Sequence, residues 1–497
     1  MRILGNHDGR RLAGGVAAAV VAGAAIVPAV ATAEETDNNR GETVRVATYN
    51  VALNRPAEGQ LVSDLEGGED AQAQNVAAVI QEVRPDVVLL NEVDYDELGE
   101  GGGSRAVELF LQDYLGQPQL GGEPIDYEYS FVAPVNTGVD SGLDLDNDGE
   151  LGGPDDAYGF GDFPGQYGMA VLSRYPLAAE EARTFQNFRW ADMPDSLLPA
   201  GFYGDNAEDL RLSSKSHWDL PVEAPGGRFH LLASHPTPPA FDGEEERNKR
   251  RNSDEIRLTA DYVAGGERAA YLYDDEGAAG GLPEGEEFVV VGDQNSDPFD
   301  GGGDYPAIRQ LLEMPRVQDP RPASRGAVEA AAAQPGNEHH AGPAELDTAD
   351  FEEPDPGNLR VDYALPSTGL TVSGSGVFWP GEGERLAEIM DPQLTSDHHL
   401  VWVDLEVPAE GGAAPEEPAA PEDEAPAGDP QAGGGDAAGE RPANSNPGDD
   451  SGSRNESAVK SPGGLASTGS PLLGALLVGA IAAAAGAGLA ALCRRRG

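Results

Sequence analysis

Phe288-Val289-Val290-Val291-Gly292-Asp293-Gln294-Asn295-Ser296-Asp297-Pro298 is the stretch that decides how this chain is read. It opens on four apolar residues and runs straight into Gly-Asp-x-Asn. A short β-branched run that stops at turn residues reads as a strand buried on both faces. Such a strand delivers a carboxylate, Asp293, and an amide, Asn295, to one rim of its sheet. Taken alone, the motif is a weak signal and reads first as an Asx turn that closes a strand. Other strands end in the same way. The run 44–50 ends on Asn50, 86–92 ends on Glu92, and 229–235 ends on His235. The run 359–365 carries Asp362 inside it. Thr395-Ser396-Asp397-His398-His399 leads into the apolar Leu400-Val401-Trp402-Val403.

This ordered set resembles the endonuclease/exonuclease/phosphatase superfamily, which includes DNase I-like nucleases, sphingomyelinases and inositol-phosphate phosphatases. The resemblance covers residues 42–407 and implies an α/β fold, a four-layered α-β-β-α sandwich. It also implies a metal-dependent phosphoester hydrolase with Glu92 as principal metal ligand, Asn50 and Asp397 beside it. Hard oxygen ligands of this kind suit Mg²⁺ or Mn²⁺. His398 matches the family's general base, and Asp362 would hold its imidazole in the productive tautomer. Asp293 and Asn295 would orient the nucleophile and the phosphate. His235 matches the second family histidine, which contacts phosphate or assists the leaving group. The two histidines can exchange acid and base roles as far as sequence goes. Three functions stay open: a phosphodiesterase or nuclease, a phosphomonoesterase acting on small organic phosphates, and a non-catalytic Ca²⁺-binding surface module. The last would be marked by a lost ligand or base, and Glu92, Asp293 and His398 are all present.

Composition narrows the substrate. The formal charge is −55, and lysine occurs only at 215, 249 and 460. A surface this acidic opposes a polyanion unless cations screen it, which favours a small substrate over duplex DNA. It suits salty or metal-rich surroundings, or it is a compositional habit of the genome. The single cysteine, Cys493, lies in the tail, so residues 42–407 hold no disulfide and no thiolate metal site.

The two ends read as targeting segments. Residues 1–33 have early arginines, an Ala/Val-rich apolar core and an Ala31-Thr32-Ala33 cleavage site, as a secretory signal does. Residues 408–464 are Pro/Ala/Gly-rich and acidic, the composition of a disordered linker. Residues 465–497 combine Leu465-Ala466-Ser467-Thr468-Gly469, an apolar stretch 472–492 long enough for a transmembrane helix, and Arg494-Arg495-Arg496. The trio resembles a sortase sorting signal. It implies secretion, anchoring to the cell wall with sortase and peptidoglycan as partners, and the membrane as a stop before processing. The alternative is a plain C-terminal membrane anchor.

Within 42–407, periodicity predicts helices over 70–83 and 104–115. The loop 144–155 places Asp144, Asp146 and Asp148 at alternate positions, with Gly149, Glu150 and Asp155 following. That is an EF-hand-like spacing for structural Ca²⁺. Residues 166–176 and 212–222 read as strands, and 183–212 as a lid. Lys215 and His217 are candidates for substrate binding. So are Asn248 and Arg251, in the basic cluster before a helix at 253–263 that Asn252 or Ser253 would cap. Residues 316–358 read as a loop insertion, in which His339-His340 is either an exposed pair or a two-histidine metal site.

Overall fold

Side chains of the long strand β1 (Thr43–Leu53) alternate between two apolar surroundings. Val44 and Val46 face a second sheet, whereas Ala47, Tyr49, Val51 and Leu53 face helices. The computed structural model describes residues 43–408 except 97, 99–103, 301–304 and 306. The expected signal segment, the linker after residue 408 and the sorting segment lie outside the described residues. No helix among the described residues is long and apolar enough to cross a membrane.

The elements follow in order as α1 (Gln60–Leu65), α2 (Ala71–Val83), β2 (Val87–Val93), α3 (Arg105–Leu109), β3 (Tyr129–Phe131), β4 (Gly168–Ser173) and β5 (Arg183–Thr184). Then come α4 (Ala200–Tyr203), β6 (His217–Ala224), β7 (Gly227–Ser234), α5 (Arg247–Ala264), β8 (Phe288–Asp293), α6 (Arg309–Leu312) and α7 (Arg325–Ala333). The last are β9 (Ala349–Asp350), β10 (Asn358–Leu359), β11 (Asp362–Pro366), β12 (Thr371–Val377) and β13 (Val401–Glu406). One sheet has the order β12-β13-β1-β2-β4-β3, another β11-β8-β7-β6-β5, and β9 pairs with β10.

Three apolar seams stack these elements into helix, sheet, sheet and helix layers. Leu61, Val76, Ile80 and Phe110 pack on the outer face of the first sheet. Val46, Leu89, Val171 and Val403 meet Leu231, Val289, Val291 and Ala364 between the sheets. Val290 and Leu365 face Ile256 and Leu258 of α5 and Leu311 of α6. Each such side chain contributes about 1.5–3 kcal/mol of burial. The expected α/β sandwich is therefore the architecture observed.

Local expectations fared unevenly. Asp70, expected as the first helical residue, instead caps α2 by accepting the N–H of Ala73. The second helix is α only through Leu109 and then widens to a π turn over Phe110–Leu115. Helix α5 begins at Arg247, because the Arg/Lys run before residue 253 is itself a good helix former. Asn252 and Ser253 are consequently buried inside it and cap nothing. Residues 183–212 are no lid: Phe185, Phe188, Trp190, Tyr203, Leu210 and Leu212 are buried in the core against α5. The strand expected from 212 starts only at His217. The insertion 316–358 contains α7 and β9. There His339 is exposed beside Glu338 while His340 Nε2 meets Pro356 O at 2.9 Å, so the pair shares no site.

Candidate active site

Strand β8 brings Asp293 to the rim through Gly292. The backbone there has φ +140°, and a Cβ would lie 1.9 Å from Ser234 O, so only glycine lets β8 run this close to β7. Antiparallel pairing sets Asp362 opposite Asp293. The parallel pair β1–β2 sets Asn50 beside Asn91 at the matching end of the other sheet. Alternation would send the next residue, Glu92, to the helix side. Instead the register shifts at this point and Glu92 takes φ 59°, a bulge that turns its carboxylate toward the site.

The side chains converge. Asn50 Nδ2 donates to Glu92 Oε1 and to Asp293 Oδ2, both at 3.1 Å. Asn54 Nδ2 donates to Glu92 Oε2 at 2.9 Å. Asp293 Oδ1 accepts the N–H of Asn295 at 2.8 Å, and Asn295 Nδ2 in turn holds Pro236 O at 3.0 Å. Two imidazoles face Asp293 Oδ2: His235 Nε2 at 3.4 Å and His398 Nε2 at 3.6 Å. His398 Nδ1 lies 2.8 Å from Asp362 Oδ2, which also accepts from Thr348 Oγ1 at 2.9 Å. Asn50, His235, Asp293, Asp362 and His398 are all buried.

Burial alone would raise the Asp293 carboxyl, but His398, the His235 contact and the Asn295 N–H together hold it below the usual carboxylate range. Burial works against charge on His398 too, yet Asp362 and Asp293 raise it well above an ordinary imidazole. Asp362 itself is raised, by burial first, with His398 opposing. Asp397 is likewise raised by burial, with His398 opposing and Glu92 and Asp293 adding to the rise. Its carboxylate thus stands within electrostatic reach of the same cluster.

The donor set fits a hard divalent cation. Two carboxylates, Glu92 and Asp293, flank one amide whose N–H₂ now occupies the space between them. The buried atoms Asp362 Oδ1 and His235 Nδ1 have no hydrogen-bond partner. Asp293, Asp362 and His398 also come within ligand distance of one another. In that trio, however, Asp362 Oδ2 and His398 Nδ1 are already spent on each other.

Other expected residues lie elsewhere. Lys215 is buried, its charge disfavoured by burial but within reach of Glu92, Glu255 and Asp293. His217 faces α5, lining a small pocket of about 10 Å³ with Leu232, Leu258 and Tyr262. Neither ring nitrogen has a hydrogen-bond partner, and burial lowers it to about 4, so the buried ring is held neutral. Asn248 Nδ2 is tied to Ala240 O. Arg251 donates to the carbonyls of Leu212, Tyr158 and Arg211, so both residues fasten loops and do not reach into the cluster. In the acidic loop, Asp144 and Asp146 group with Asp156, not with Asp155. Asp156 is drawn inward by the N–H groups of Leu145 and Gly152, whereas exposed Asp155 turns to Arg247 at 3.5 Å. Asp148 accepts the N–H of Glu150, closing a local turn. His399, next to His398, stacks on Trp379 at 3.7 Å between ring centroids, away from Asp362.

Sequence reasoning missed four members of the site. Asn91 Oδ1 accepts the N–H of Asp293 and so ties the two sheets together at the rim. Ser396 Oγ holds Asn50 O, Asn54 braces Glu92, and Thr348 braces Asp362. Asn91, adjacent to Glu92 in a buried apolar run, carried a signal; Thr348, in an insertion without pattern, carried none.

A family profile described as "Endonuclease/Exonuclease/phosphatase family" matches residues 47–398. Among solved structures, the chain is similar to an endonuclease/exonuclease/phosphatase from Beutenbergia cavernae, at 20% identity over 74% of this chain and 72% of that one, TM-score 0.41. It is similar to sphingomyelinase C from Streptomyces griseocarneus, at 16% identity over 73% and 99%, TM-score 0.37. It is also similar to truncated Caenorhabditis elegans TDP2, at 16% identity over 74% and 100%, TM-score 0.36. No curated protein matches.

Proposed function

This chain belongs to the endonuclease/exonuclease/phosphatase family, a family of divalent-metal-dependent phosphoester hydrolases, and from that membership we propose that it hydrolyses phosphodiester bonds at the Asp293 cluster. The observation that carries the reading is the meeting of two imidazoles on one carboxylate oxygen, with one imidazole backed by a second buried carboxylate.

Glu92, Asn50, Asp293 and Asp397 are the residues that would hold Mg²⁺ or Mn²⁺. The cation's contribution, when bound, is to neutralise charge on the phosphoryl group. Asp362 keeps the proton on His398 Nδ1, which leaves Nε2 as the basic atom facing the substrate side. With Nδ1 protonated, His398 Nε2 is the atom that takes the proton of the attacking water, and a cation held by these residues would weaken the pull of Asp293 on a proton at Nε2. His235, on the other side of Asp293 Oδ2, contacts the phosphate or protonates the leaving oxygen. Asn295, whose backbone is pinned by Asp293, orients the phosphate.

A second reading, a phosphomonoesterase for small organic phosphates, is favoured by the charge of −55, which repels duplex nucleic acid. The sequence at 1–33 and 465–497 supports secretion and sortase attachment to the wall, with the intervening 408–464 as spacer. The cluster of Asp144, Asp146 and Asp156 supports structural Ca²⁺. The deciding experiment assays the purified protein on phosphodiester and phosphomonoester panels with Mg²⁺, Mn²⁺ or Ca²⁺. Turnover of diesters that EDTA abolishes and Mg²⁺ or Mn²⁺ restores supports the first reading. Turnover of monoesters alone replaces it with the second.

A further inference from the structure

His398 and His235 face the same oxygen of Asp293, but only one of them is held from behind. His398 Nδ1 lies against Asp362, whereas His235 Nδ1 is buried with no hydrogen-bond partner among the described residues. The placement of the His235 ring therefore depends on its backbone. The β7–β8 ladder does not reach that far: its last pair is Ala233 and Val291, two residues short of His235 and of Asp293. Beyond it, side chains take over. Gln294 Nε2 donates to Ser234 Oγ and Asn295 Nδ2 to Pro236 O, both at 3.0 Å.

Helix α5 supplies the remaining ties. Asn248, Arg251, Asn252 and Glu255 stand at i, i+3, i+4 and i+7, on one face of the helix. Asn252 Nδ2 donates to Thr237 O at 2.9 Å and to Gln294 O at 3.0 Å. Thr237 lies just beyond His235 and Gln294 follows Asp293, so a single amide joins the two strand ends that meet at Asp293 Oδ2. One turn further on, Glu255 Oε2 accepts the N–H of Thr237 and Oε1 the N–H of Ser214, both at 2.7 Å. Both backbone groups of Thr237 are thus fixed by α5, and the chain that enters β6 is fixed with them. The helix does not need this polar pair in order to dock. Ile256, Leu258 and Val263 already pack it into the core with Val290 and Leu365. Asn252 and Glu255 are both buried, and taking a carboxylate out of water costs stability that an apolar side chain would not lose. What the pair adds is geometry at the rim.

We infer that Asn252 and Glu255 are positioning residues: they set the 3.4 Å separation of His235 Nε2 from Asp293 Oδ2 and act on turnover through His235. The inference rests on the phosphoester-hydrolase reading, and its test includes a measurement made without turnover. A misplacement of about 1 Å can cost about 10²-fold in rate. Asn252→Ala should therefore lower kcat about ten- to a hundredfold per folded molecule, with KM within about twofold of wild type. In a His235→Ala background the same substitution should lower kcat by less than about twofold, because the residue it acts through is gone. Glu255→Gln turns an amide N–H₂ toward one of the two N–H donors and should follow the same pattern. Gln318→Ala is the structural control. Gln318 Nε2 also donates to two carbonyls, those of Ser367 and Leu370, and Ser367 N bonds Phe288 O at the end of β8 away from Asp293. Its loss should lower the melting temperature and leave kcat unchanged. Crystal structures of the wild type and of Asn252→Ala should show a longer His235–Asp293 separation in the variant. Should Asn252→Ala not fold, Asn252→Ser, which keeps one donor, and Glu255→Gln serve in both experiments. A kcat loss by the same factor in both backgrounds, or an unchanged separation, would overturn the inference even in an active hydrolase. A longer separation in a protein that turns over no phosphoester would keep the clamp and remove the hydrolase reading.

Discussion

A proton on His398 is held by the carboxylates of Asp362 and Asp293, and the neighbouring His399 shares none of them. That contrast makes the pair a built-in control. General-base catalysis is worth roughly 10²–10⁴-fold, so His398→Ala should lower kcat by about that factor with the fold retained. His399→Ala removes a stacking partner of Trp379 and should act on melting temperature, with kcat per folded molecule near wild type. Equal kcat losses in both variants would refute the assignment. A second residue-scale prediction concerns Asp347, which is buried and carries a carboxyl pushed up to about 8, by burial first and then by Asp297, Asp300 and Glu345. Its folded value lies above the ordinary one of 3.8, so the fold favours the neutral acid. The stability this group contributes is full below about pH 4 and is lost as pH rises through 8. Asp347→Asn, which stays neutral, should melt higher than wild type at pH 8 and show a flatter profile between pH 4 and 8. A parallel profile in the variant would show that this carboxyl does not govern the slope.

At the scale of elements, the site exists because two strand ends break their own regularity. β8 needs Gly292 to pass Ser234, and β2 needs its bulge to turn Glu92 inward. The pattern of the sequence made both strand ends visible but not the bulge, since a positive φ at a glutamate leaves no mark in hydrophobic periodicity. The acidic loop shows the same limit. Spacing alone pointed to Asp155 as its last member, and the hydrogen bonds of Leu145 and Gly152 choose Asp156. If the loop binds Ca²⁺, the ion stabilises the native state by mass action, about 2.7 kcal/mol at a hundredfold excess over Kd. Added Ca²⁺ should therefore raise the melting temperature, and Asp146→Ala or Asp156→Asn should remove most of that rise while Asp155→Asn leaves it. An identical rise in all three variants would exclude this loop as the binding site.

The whole molecule is a strongly charged body, and its self-repulsion is a property no single residue holds. At −55, raising salt from about 10 mM to 1 M shortens the Debye length from about 30 Å to about 3 Å. The melting temperature should rise over that interval, a gain that sodium chloride and potassium chloride produce alike. A flat or falling curve would mean that ion pairs such as Arg45–Asp404 outweigh the repulsion. At this scale too, the division between sequence and tertiary structure is clearest. The sequence by itself determined the strands that end in polar residues, the amphipathic helix ending at Val83, and hence the family and the layered sandwich. Period-2 alternation, caps and turn residues are local and written in neighbouring positions. Only the tertiary structure decided that Asn91 bridges the sheets, that Thr348 braces Asp362, that His217 faces the helix layer, and that the aromatic stretch 183–212 is core. Those outcomes depend on which sheet face a strand turns to a distant partner, and residues far apart in the chain set that choice together.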